Sequence, residues 1–431
     1  MTEPSTAPRR GNRLTTSIVV ALFLGVAAGW VSNAFYPESS VGFADAISLL
    51  PTAFLRLVKM IIAPLVFATL VVGIAKMGDI GMVGRIGTKT LGWFLFASLV
   101  SLTLGLVLVD LLEPGKAMHL AIPAGDASTG FKAGALSIEE FISHTIPTSI
   151  VDAMSRNEIL QIVVFSVFFG IAMAALSENT GVLLTALDGL ALIMLRVTGY
   201  VMLFAPLAVF GALASTVAKE GLGVIGVYGL FVAEFYLGIL VLWGVLAALG
   251  AIFLGKRVLQ LIVRVREPVL LAFSTASSEA AYPKTLEELE KFGVGQRIAR
   301  FVLPVGYSFN LDGSMMYCTF AVMFIAQVYG IEISLPRQIA MVAILMLTSK
   351  GMAGVPRASL VVIAATLAQF DIPAAGLLLL LGVDHFLDMG RSATNVIGNS
   401  VATAVVARWE GQLAPADQTA PGPSATQGTS N

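Results

Sequence analysis

Long apolar runs, separated by short polar segments, recur along most of the 431-residue chain. A helix needs about 20 mostly apolar residues to cross the ~30 Å hydrocarbon core of a bilayer, where its backbone groups must bond to each other. The pattern therefore predicts an all-α polytopic membrane protein with eight transmembrane helices. The predicted spans are residues 14–36, 45–76, 84–113, 157–178, 186–218, 221–255, 297–330 and 374–408.

Two further apolar segments, 258–292 and 334–370, are each divided by a run of small residues, at 274–278 and at 349–356 respectively. Neither arm is long enough to cross the bilayer alone. Each segment is therefore predicted to be a re-entrant helical hairpin with its tip at membrane depth, and two long kinked helices are the alternative. Paired interrupted segments of this kind indicate a transporter built from inverted repeats, with a binding site near the membrane midplane.

Positively charged residues predict the orientation of the chain. The N-terminal tail 1–13 carries three Arg, whereas loop 37–44 carries no Lys or Arg. The basic turn 76–89 and the basic stretch 256–300 fall on the same side as that tail. Since Lys and Arg are enriched in cytoplasmic loops, the N-terminus is predicted to be cytoplasmic, and eight crossings return the C-terminus to the same side.

The chain ends and one loop complete the predicted topology. No clear small-residue cleavage site follows the first span, so an uncleaved helix is favoured over a secretory signal. Residues 114–156 form the longest polar insertion and are expected outside. The tail 410–431 is rich in Pro, Gly, Ser, Thr and Gln and is predicted to be disordered.

The last span carries polar residues spaced by three or four, which places them on one helical face. A charge at the centre of a bilayer costs at least ~2.5–3.5 kcal/mol, so this face must point into the helix bundle or a water-filled cavity. One interpretation is an Asp388–Arg391 ion pair that only ties helices together. In the other, Arg391 binds a ligand carboxylate and Asp388 a ligand ammonium. The residues of this polar stripe are Asp384, Asp388, Arg391, Asn395 and Asn399.

A second polar feature, 308–314, interrupts the span 297–330. Gly313 and the side-chain oxygens around it predict a broken helix whose freed carbonyl groups bind a hard cation. Alternatively, Asn310 and Asp312 only cap two half-helices.

Composition excludes several classes of protein. Hydrophobic residues make up 57% and charged residues 12% of the chain, against about 25% charged in a soluble domain. The formal net charge of −1 excludes the broad basic surface that nucleic-acid binding needs. With Cys318 as the one cysteine and three histidines, neither a disulfide within the chain nor a Cys/His metal site is expected. No nucleophile–base pair or nucleotide loop indicates an enzyme.

These motifs resemble the dicarboxylate/amino acid:cation symporter family, which contains the glutamate and aspartate transporters. The resemblance covers nearly the whole chain. Within the family, the chain looks most similar to bacterial proton/glutamate symporters. The serine-rich tip, the N-x-D-G break and D-x-x-R-x-x-x-N, in that order, make it specific. The segments that carry it are FLRLVKMIIAPLVF, FSTASSEAAYP, SFNLDGSMMY, SKGMAGVP and DHFLDMGRSATNVIGN.

The resemblance implies a homotrimer in a bacterial inner membrane, in contact with lipid. It implies a static scaffold made of 14–83 and of the insertion and helices in 114–220. A mobile transport unit, made of 84–113 and 221–409, would carry substrate across the membrane by an elevator movement. In that arrangement the hairpin tips act as gates.

The resemblance also implies a substrate site. By motif position, Arg391 contacts the side-chain carboxylate of an acidic amino acid and Asp388 contacts its α-ammonium. Asn395 and the tip residues Ser277 and Ser278 hold the α-carboxylate, and backbone groups of the second hairpin close over the ligand. The other residues of the implied site are Ser314, Val355, Pro356, Ala358 and Ser392.

Asp388 bears on the substrate class, because succinate-type members of the family carry a small neutral residue there. An Asp without an ammonium to pair with would repel a dicarboxylate. Import of glutamate or aspartate is therefore the main prediction. A C4-dicarboxylate symporter for succinate, fumarate or malate is the alternative, and an anion-conducting channel is an alternative of another class.

Departures from the sodium-coupled members bear on the coupling ion. Those members have a carboxylate where this chain has Asn399 and hydroxyl groups where it has Phe94 and Ala97. A further sodium site would adjoin the positive charge of Lys350. Proton coupling is therefore favoured over sodium coupling, with no organic cofactor. The candidate residues for cation coupling are Gly306, Ser308, Asn310, Asp312, Asn395, Asn399 and Glu279, and Asp312, Asp388 and Glu279 are hypotheses for the proton carrier.

Overall fold

The computed structural model describes residues 10–76, 80–117, 142–143, 145–176, 180–221, 223–349, 358–381 and 383–415. These residues are nearly all helical, and the one β-bridge among them joins Val294 to Leu413. The helices are α1 (Arg10–Phe35), α2 (Pro37–Ile47), α3 (Leu49–Ala75), α4 (Ile80–Leu112), α5 (Pro114–Ala117), α6 (Ile150–Arg156), α7 (Ile159–Ala175), α8 (Gly181–Val201), α9 (Ala205–Glu220), α10 (Gly223–Leu254), α11 (Arg257–Arg264), α12 (Arg266–Thr275), α13 (Ser278–Phe292), α14 (Gln296–Phe309), α15 (Asp312–Val328), α16 (Leu335–Thr348), α17 (Ala358–Gln369), α18 (Leu377–Leu381) and α19 (Asp384–Trp409).

Six described helical segments are long and apolar enough to cross a membrane, which confirms a polytopic all-α membrane protein. Two predicted spans differ from these six. Helix α7 has only 17 residues, fewer than the roughly 20 that an untilted helix needs. Helix α19 has 26 residues, but the polar stripe interrupts its apolar character. The six segments are Thr16–Phe35, Pro37–Ala75, Gly81–Lys116, Gly181–Glu220, Tyr228–Leu254 and Gln296–Val328.

The predicted span 374–408 is not one unbroken helix, because α18 ends at Leu381 and α19 begins at Asp384. Val383 precedes α19 with φ −119° and ψ −6°, and Asp384 occupies the first turn of α19. A carboxylate in this position interacts favourably with the positive end of the helix dipole. The break therefore places Asp384 at a helix start rather than within a helix.

The first predicted hairpin is confirmed, since α12 and α13 pack against each other. Helix α12 ends at Ala276, which has a left-handed conformation with φ +47°. The N–H of Ser277 then donates to the carbonyl of Ala272 at 3.1 Å, the arrangement that commonly closes a helix C-terminus. Ser277 also begins α13, because its Oγ accepts a hydrogen bond of 3.3 Å from the N–H of Ala280. The small residues thus form a tight reversal.

The second predicted hairpin is described only in its arms. Helices α16 and α17 pack against each other, as a hairpin requires. The interruption at 350–357, with Lys350, Val355 and Pro356, lies outside the described residues.

Many of the helix contacts fall into two sets. Helix α1 packs against α9, and α3 packs against α7 and α8. In the second set, α19 contacts α10, α12, α13, α14 and α15. The division into a scaffold and a transport unit, and the movement of one against the other, stay predictions. Helix α19 therefore has neighbours along most of its length, which buries its polar stripe.

The prediction of a wholly disordered tail 410–431 is wrong at its start. Residues up to 415 are described, and the N–H of Ala414 donates to the carbonyl of Gly293 at 2.8 Å. Glu410 forms salt bridges of 3.0 Å with Arg85 and 2.6 Å with Lys89, both on α4. These long-range contacts fix the beginning of the tail. Residues 416–431, and most of the predicted outer insertion, lie outside the described residues.

Candidate functional site

The charged part of the stripe converges on Arg391. Its Nη2 lies 2.9 Å from Oδ1 of Asp388 and 3.2 Å from Oδ1 of Asp384. The side chains of Arg391 and Asp384 are 1% exposed, whereas that of Asp388 is 24% exposed. One buried arginine therefore lies between two carboxylates, and only the Asp388 side of the group opens to the surface.

Tyr317 of α15 contacts both Arg391 and Asp384. Its ring lies beneath the guanidinium group at 4.1 Å, and its hydroxyl donates to Oδ1 of Asp384 at 3.2 Å. A cation over an aromatic face is attracted by the ring, more so where water is excluded. Sequence reasoning gave Asp384 no role and missed Tyr317, although Tyr317 ends the motif SFNLDGSMMY. Together these contacts hold the guanidinium in one orientation.

Two donor atoms of Arg391 remain without partners. Nε and Nη1 are buried and have no hydrogen-bond partner among the described residues. A buried donor left unpaired costs about 1–3 kcal/mol, more for a charged group. The N–H of Nε shares an edge of the planar guanidinium group with Nη2 and not with Nη1, so each unpaired nitrogen can donate a separate charge-assisted hydrogen bond to a carboxylate oxygen. The two unpaired donors of Arg391 are therefore suited to a carboxylate ligand.

Asn395 connects the stripe to the first turn of α15. Its Oδ1 accepts from the N–H of Gly313 at 2.9 Å, and its Nδ2 donates to Oγ of Ser314 at 3.4 Å. A Cβ at Gly313 would lie 2.5 Å from the carbonyl oxygen of Arg391, so only glycine permits this close packing of the two helices. Ser314, Ser392 and Asn395 are all buried. Ser392 and Asn395 therefore lie near Arg391 on α19 itself, and the packing of α15 brings Ser314 close to them.

The predicted break in the span 297–330 is confirmed. Asn310 and Leu311, with ψ 66° and 64°, separate α14 from α15. Nδ2 of Asn310 donates to Asp312 at 2.9 Å and to Oδ1 of Asn399 at 3.3 Å. Ser101 of α4, which sequence reasoning missed, donates to Oδ1 of Asp312 at 3.1 Å. The four side chains form a buried cluster that joins α4, α15 and α19, hereafter the break cluster.

Two glycines bring the break cluster against the backbone. A Cβ at Gly306 would lie 2.2 Å from Oδ1 of Asn399, and one at Gly398 would lie 1.9 Å from Oδ2 of Asp312. Oδ1 of Asn310 is buried with no hydrogen-bond partner among the described residues. Oxygen atoms around a single carboxylate suit a small hard cation or a proton. The described residues contain no group of three or more His, Cys, Asp or Glu that would hold a metal ion.

The remaining predicted residues lie around these two sites. Ser308 is buried near the end of α14. Ser278 and Glu279 are half-buried in the first turn of α13, and Glu279 interacts electrostatically with Lys59 of α3. Both arms of the first hairpin pack against α19, which brings its tip to the helix that carries the stripe. Ala358 begins α17, and the rest of the second tip is not described.

Comparison with known proteins places this geometry in a family. The model of the sodium:dicarboxylate symporter family matches residues 14–409. A C4-dicarboxylate transport protein of Laribacter hongkongensis is 39% identical over 92% of this chain and 89% of its own length. Proteins of the same name from Rhizobium johnstonii and Brucella anthropi are each 40% identical, covering 92% and 96% of this chain and 90% and 93% of their own lengths. The chain therefore belongs to the sodium:dicarboxylate symporter family and is a multi-span membrane transporter.

Proposed function

We propose that this protein is a cation-coupled symporter of C4-dicarboxylates and that Arg391 binds one carboxylate of the substrate. The observation that carries the proposal is the pair of unpaired donors of Arg391, Nε and Nη1, which are buried without partners among the described residues. The names of the relatives support the C4-dicarboxylate class. In physical terms, the substrate supplies the acceptors that these two donors lack.

The surroundings of Arg391 support tight recognition of a carboxylate. Asp384, Asp388 and Tyr317 already fix Nη2 and the plane of the guanidinium group. A side chain held in its binding conformation loses little conformational entropy when the ligand arrives. The second substrate carboxylate is assigned to Asn395 and Ser392, together with the tip residues Ser277 and Ser278.

The position of Asp388 explains why C4-dicarboxylates replace acidic amino acids as the main proposal. The sequence left two partners open for Asp388, a ligand ammonium or Arg391. In the structure its carboxylate lies 2.9 Å from Arg391, so it has a positively charged partner within the protein. A substrate ammonium is therefore not required to balance it.

Import of aspartate or glutamate is the second candidate, and the exposure of Asp388 favours it. The Asp388 side chain is 24% exposed and lies 2.9 Å from Nη2 of Arg391, so a ligand ammonium beside Arg391 can reach it. Asp384, Asp388 and Arg391 sum to −1 when all three are ionised, so an ammonium would relieve repulsion between the site and a dicarboxylate. A proton on Asp388 would do the same for succinate.

We further propose that the coupling ion is a proton. The break cluster has one carboxylate, Asp312, and an amide at Asn399. The ring of Phe94 lies 3.3 Å from the position of a Cβ on Gly306 and supplies no oxygen on that side. A sodium ion needs several oxygen ligands, whereas a proton needs only one acceptor.

Uptake of radiolabelled succinate into proteoliposomes, under an inward proton or sodium gradient, tests the proposal. We expect accumulation under the proton gradient, with fumarate and malate competing better than aspartate or glutamate. Arg391→Gln should strongly reduce uptake. Arg196→Gln is the matched control, because Arg196 is an exposed arginine of α8 whose hydrogen bond and cation–π contact are both with Tyr200. Stronger competition by aspartate or glutamate would establish the second candidate instead.

A further inference from the structure

Helix α10 carries a single ionisable acid within its membrane-spanning stretch. Between Tyr228 and Leu254 the sequence has no Asp, Lys or Arg, and Glu234 is the one Glu. Leu230, Glu234, Leu237 and Val241 follow each other at intervals of four, three and four residues, which places them on one helical face. The three apolar members are 52%, 49% and 37% exposed. Glu234 therefore lies within an apolar stripe on the outside of the described helices.

The carboxyl group of Glu234 has no polar partner among the described residues. Its Oε2 is buried and makes no hydrogen bond there, and the structure gives Glu234 no ion pair. The helices packed against α10 are α4, α5, α11, α15 and α19. None of the described ionisable groups on these five helices forms an ion pair or a hydrogen bond with Glu234. These groups are Arg85, Lys89 and Asp110 of α4, Lys116 of α5, Arg257 and Arg264 of α11, Asp312, Tyr317 and Cys318 of α15, and Asp384, His385, Asp388, Arg391 and Arg408 of α19.

This environment favours the neutral acid. An ionised carboxylate among hydrocarbon, with no cation and no donor, is costly, so the group holds a proton wherever it is away from water. Ionisable residues within spanning helices are uncommon and mark proton or ion pathways by default. By contrast, Asp388 pairs with Arg391, and Asp312 accepts hydrogen bonds from Ser101 and Asn310.

Glu234 is joined to the substrate helix through the opposite face of α10. The hydroxyl of Tyr236 donates to the carbonyl of Phe386 at 2.6 Å, and Nε1 of Trp243 donates to Oγ1 of Thr394 at 2.8 Å. These bonds flank Arg391 on α19. In any movement that carries α19 across the membrane, α10 and Glu234 therefore travel with it.

We infer that Glu234 is a proton-binding site of the transporter and that its carboxylate takes up the coupled proton at one membrane face and releases it at the other. The inference rests on the proposed proton-coupled transport of a dicarboxylate. It adds a residue outside both the Arg391 site and the break cluster, on the surface of the unit that binds the substrate. The step is a simple protonation, in which the carboxylate gains and later loses one proton and no other group reacts.

Labelling with dicyclohexylcarbodiimide tests the protonated state without any substrate. This apolar reagent reacts with protonated carboxyl groups in hydrocarbon. The acid proton moves to a carbodiimide nitrogen, the carboxyl oxygen adds to the central carbon, and the adduct rearranges to a stable N-acylurea with no leaving group. In proteoliposomes, mass spectrometry should find the adduct on the peptide that contains Glu234, with a yield that falls as the pH rises. No adduct at any pH would overturn the inference.

Transport by Glu234→Gln tests the role of the proton. Glutamine has the same shape but cannot bind and release a proton. We expect this variant to lose accumulation driven by a proton gradient while it keeps wild-type exchange of internal for external labelled succinate. Ala233→Gln is the matched control, because it places the same amide on the adjacent exposed position and should keep both activities.

The outcomes separate the inference from the function on which it rests. Proton-driven accumulation by Glu234→Gln at the wild-type rate would overturn the role of Glu234, as would wild-type accumulation that runs only on a sodium gradient. Failure of the wild type to exchange any dicarboxylate would instead remove the proposed function. In that case the carbodiimide reaction still decides whether Glu234 holds a proton.

Discussion

Arg391 and Asn399 lie on the same face of α19, about two helical turns apart, yet their surroundings differ in chemistry. Around Arg391, two carboxylates and an aromatic ring leave two N–H donors unpaired among the described residues. Around Asn399, one carboxylate and two amides leave one acceptor, Oδ1 of Asn310, and one donor, Nδ2 of Asn399, without partners among the described residues. The surroundings of Arg391 thus offer unpaired donors alone, which suit an anion, whereas those of Asn399 combine a carboxylate with an unpaired acceptor. We therefore assign the substrate to the first region and the coupling cation to the second.

The largest expected effect comes from removing the donors. Arg391→Gln leaves Asp384 and Asp388 facing each other without their cation. We expect succinate binding to weaken by about 2–5 kcal/mol, the usual cost of removing one partner of a buried charged pair. The dependence of the remaining uptake on the coupling cation should be unchanged, because the break cluster is intact. Uptake in proteoliposomes over a range of succinate and coupling-cation concentrations, with Arg196→Gln as control, measures both effects.

The second largest effect is expected on binding of the coupling cation at the break cluster. Gly398→Ala would place a Cβ 1.9 Å from Oδ2 of Asp312 and force that carboxylate to move. Overpacking a filled site typically costs about 1–3 kcal/mol. We expect the concentration of coupling cation needed for half-maximal uptake to rise while succinate binding is nearly kept. Gly92→Ala, where an added Cβ meets nothing within 4 Å, is the matched control. A loss of succinate binding with unchanged cation dependence would contradict the assignment.

Asp388→Ser tests whether Asp388 pairs with Arg391 or with an ammonium of the substrate. If Asp388 serves mainly as a partner of Arg391, its removal frees Nη2 and changes succinate uptake by less than about tenfold, or about 1.4 kcal/mol. Inhibition of succinate uptake by aspartate should then be the same in the variant as in the wild type. If aspartate inhibits the variant much less than the wild type while succinate uptake is preserved, Asp388 binds an ammonium. Parallel competition curves for the two acids distinguish these results.

The smallest effect is at the end of α19. Burial alone raises the pKa of the Glu410 carboxyl, but hydrogen bonds and positive charge from Arg85 and Lys89 outweigh it, so the pKa lies below its ordinary value. The resulting stabilisation is present above the unfolded-state pKa of about 4.3 and is lost as the pH falls through the folded-state value. Glu410→Gln should lower stability by about 0.5–1.5 kcal/mol at neutral pH.

Thermal unfolding of the detergent-solubilised protein across pH measures that contribution. The difference in apparent Tm between wild type and Glu410→Gln should be present at pH 7 and shrink in acid. A difference that does not change with pH would show that packing, rather than charge, anchors the tail.

Local patterns predicted much of the fold and part of the candidate site. The lengths of the apolar runs gave most spans, and the small residues around Ala276 gave the first hairpin. The three-to-four spacing of polar residues put Arg391 and Asn399 on one face of α19. Each of these features depends on residues that are neighbours along the chain, so the sequence alone determines them.

Other features depend on contacts between distant segments, and sequence reasoning missed them. The ring of Tyr317 beneath Arg391 requires α15 to pack on α19 in one register. The hydrogen bond from Ser101 to Asp312 and the fixed start of the tail at Glu410 likewise join residues that are far apart along the chain. An aspartate at position 388 can pair with a ligand ammonium or with Arg391. The sequence alone therefore did not decide which of the two is its partner.

Equilibrium binding of succinate to the purified protein, measured by calorimetry for wild type, Arg391→Gln and Arg196→Gln, tests the central claim most directly. The unpaired donors of Arg391 predict that wild type and Arg196→Gln bind succinate with similar affinity and that Arg391→Gln binds it far more weakly. Binding of succinate to Arg391→Gln with wild-type affinity would contradict the assignment of Arg391 to the substrate carboxylate.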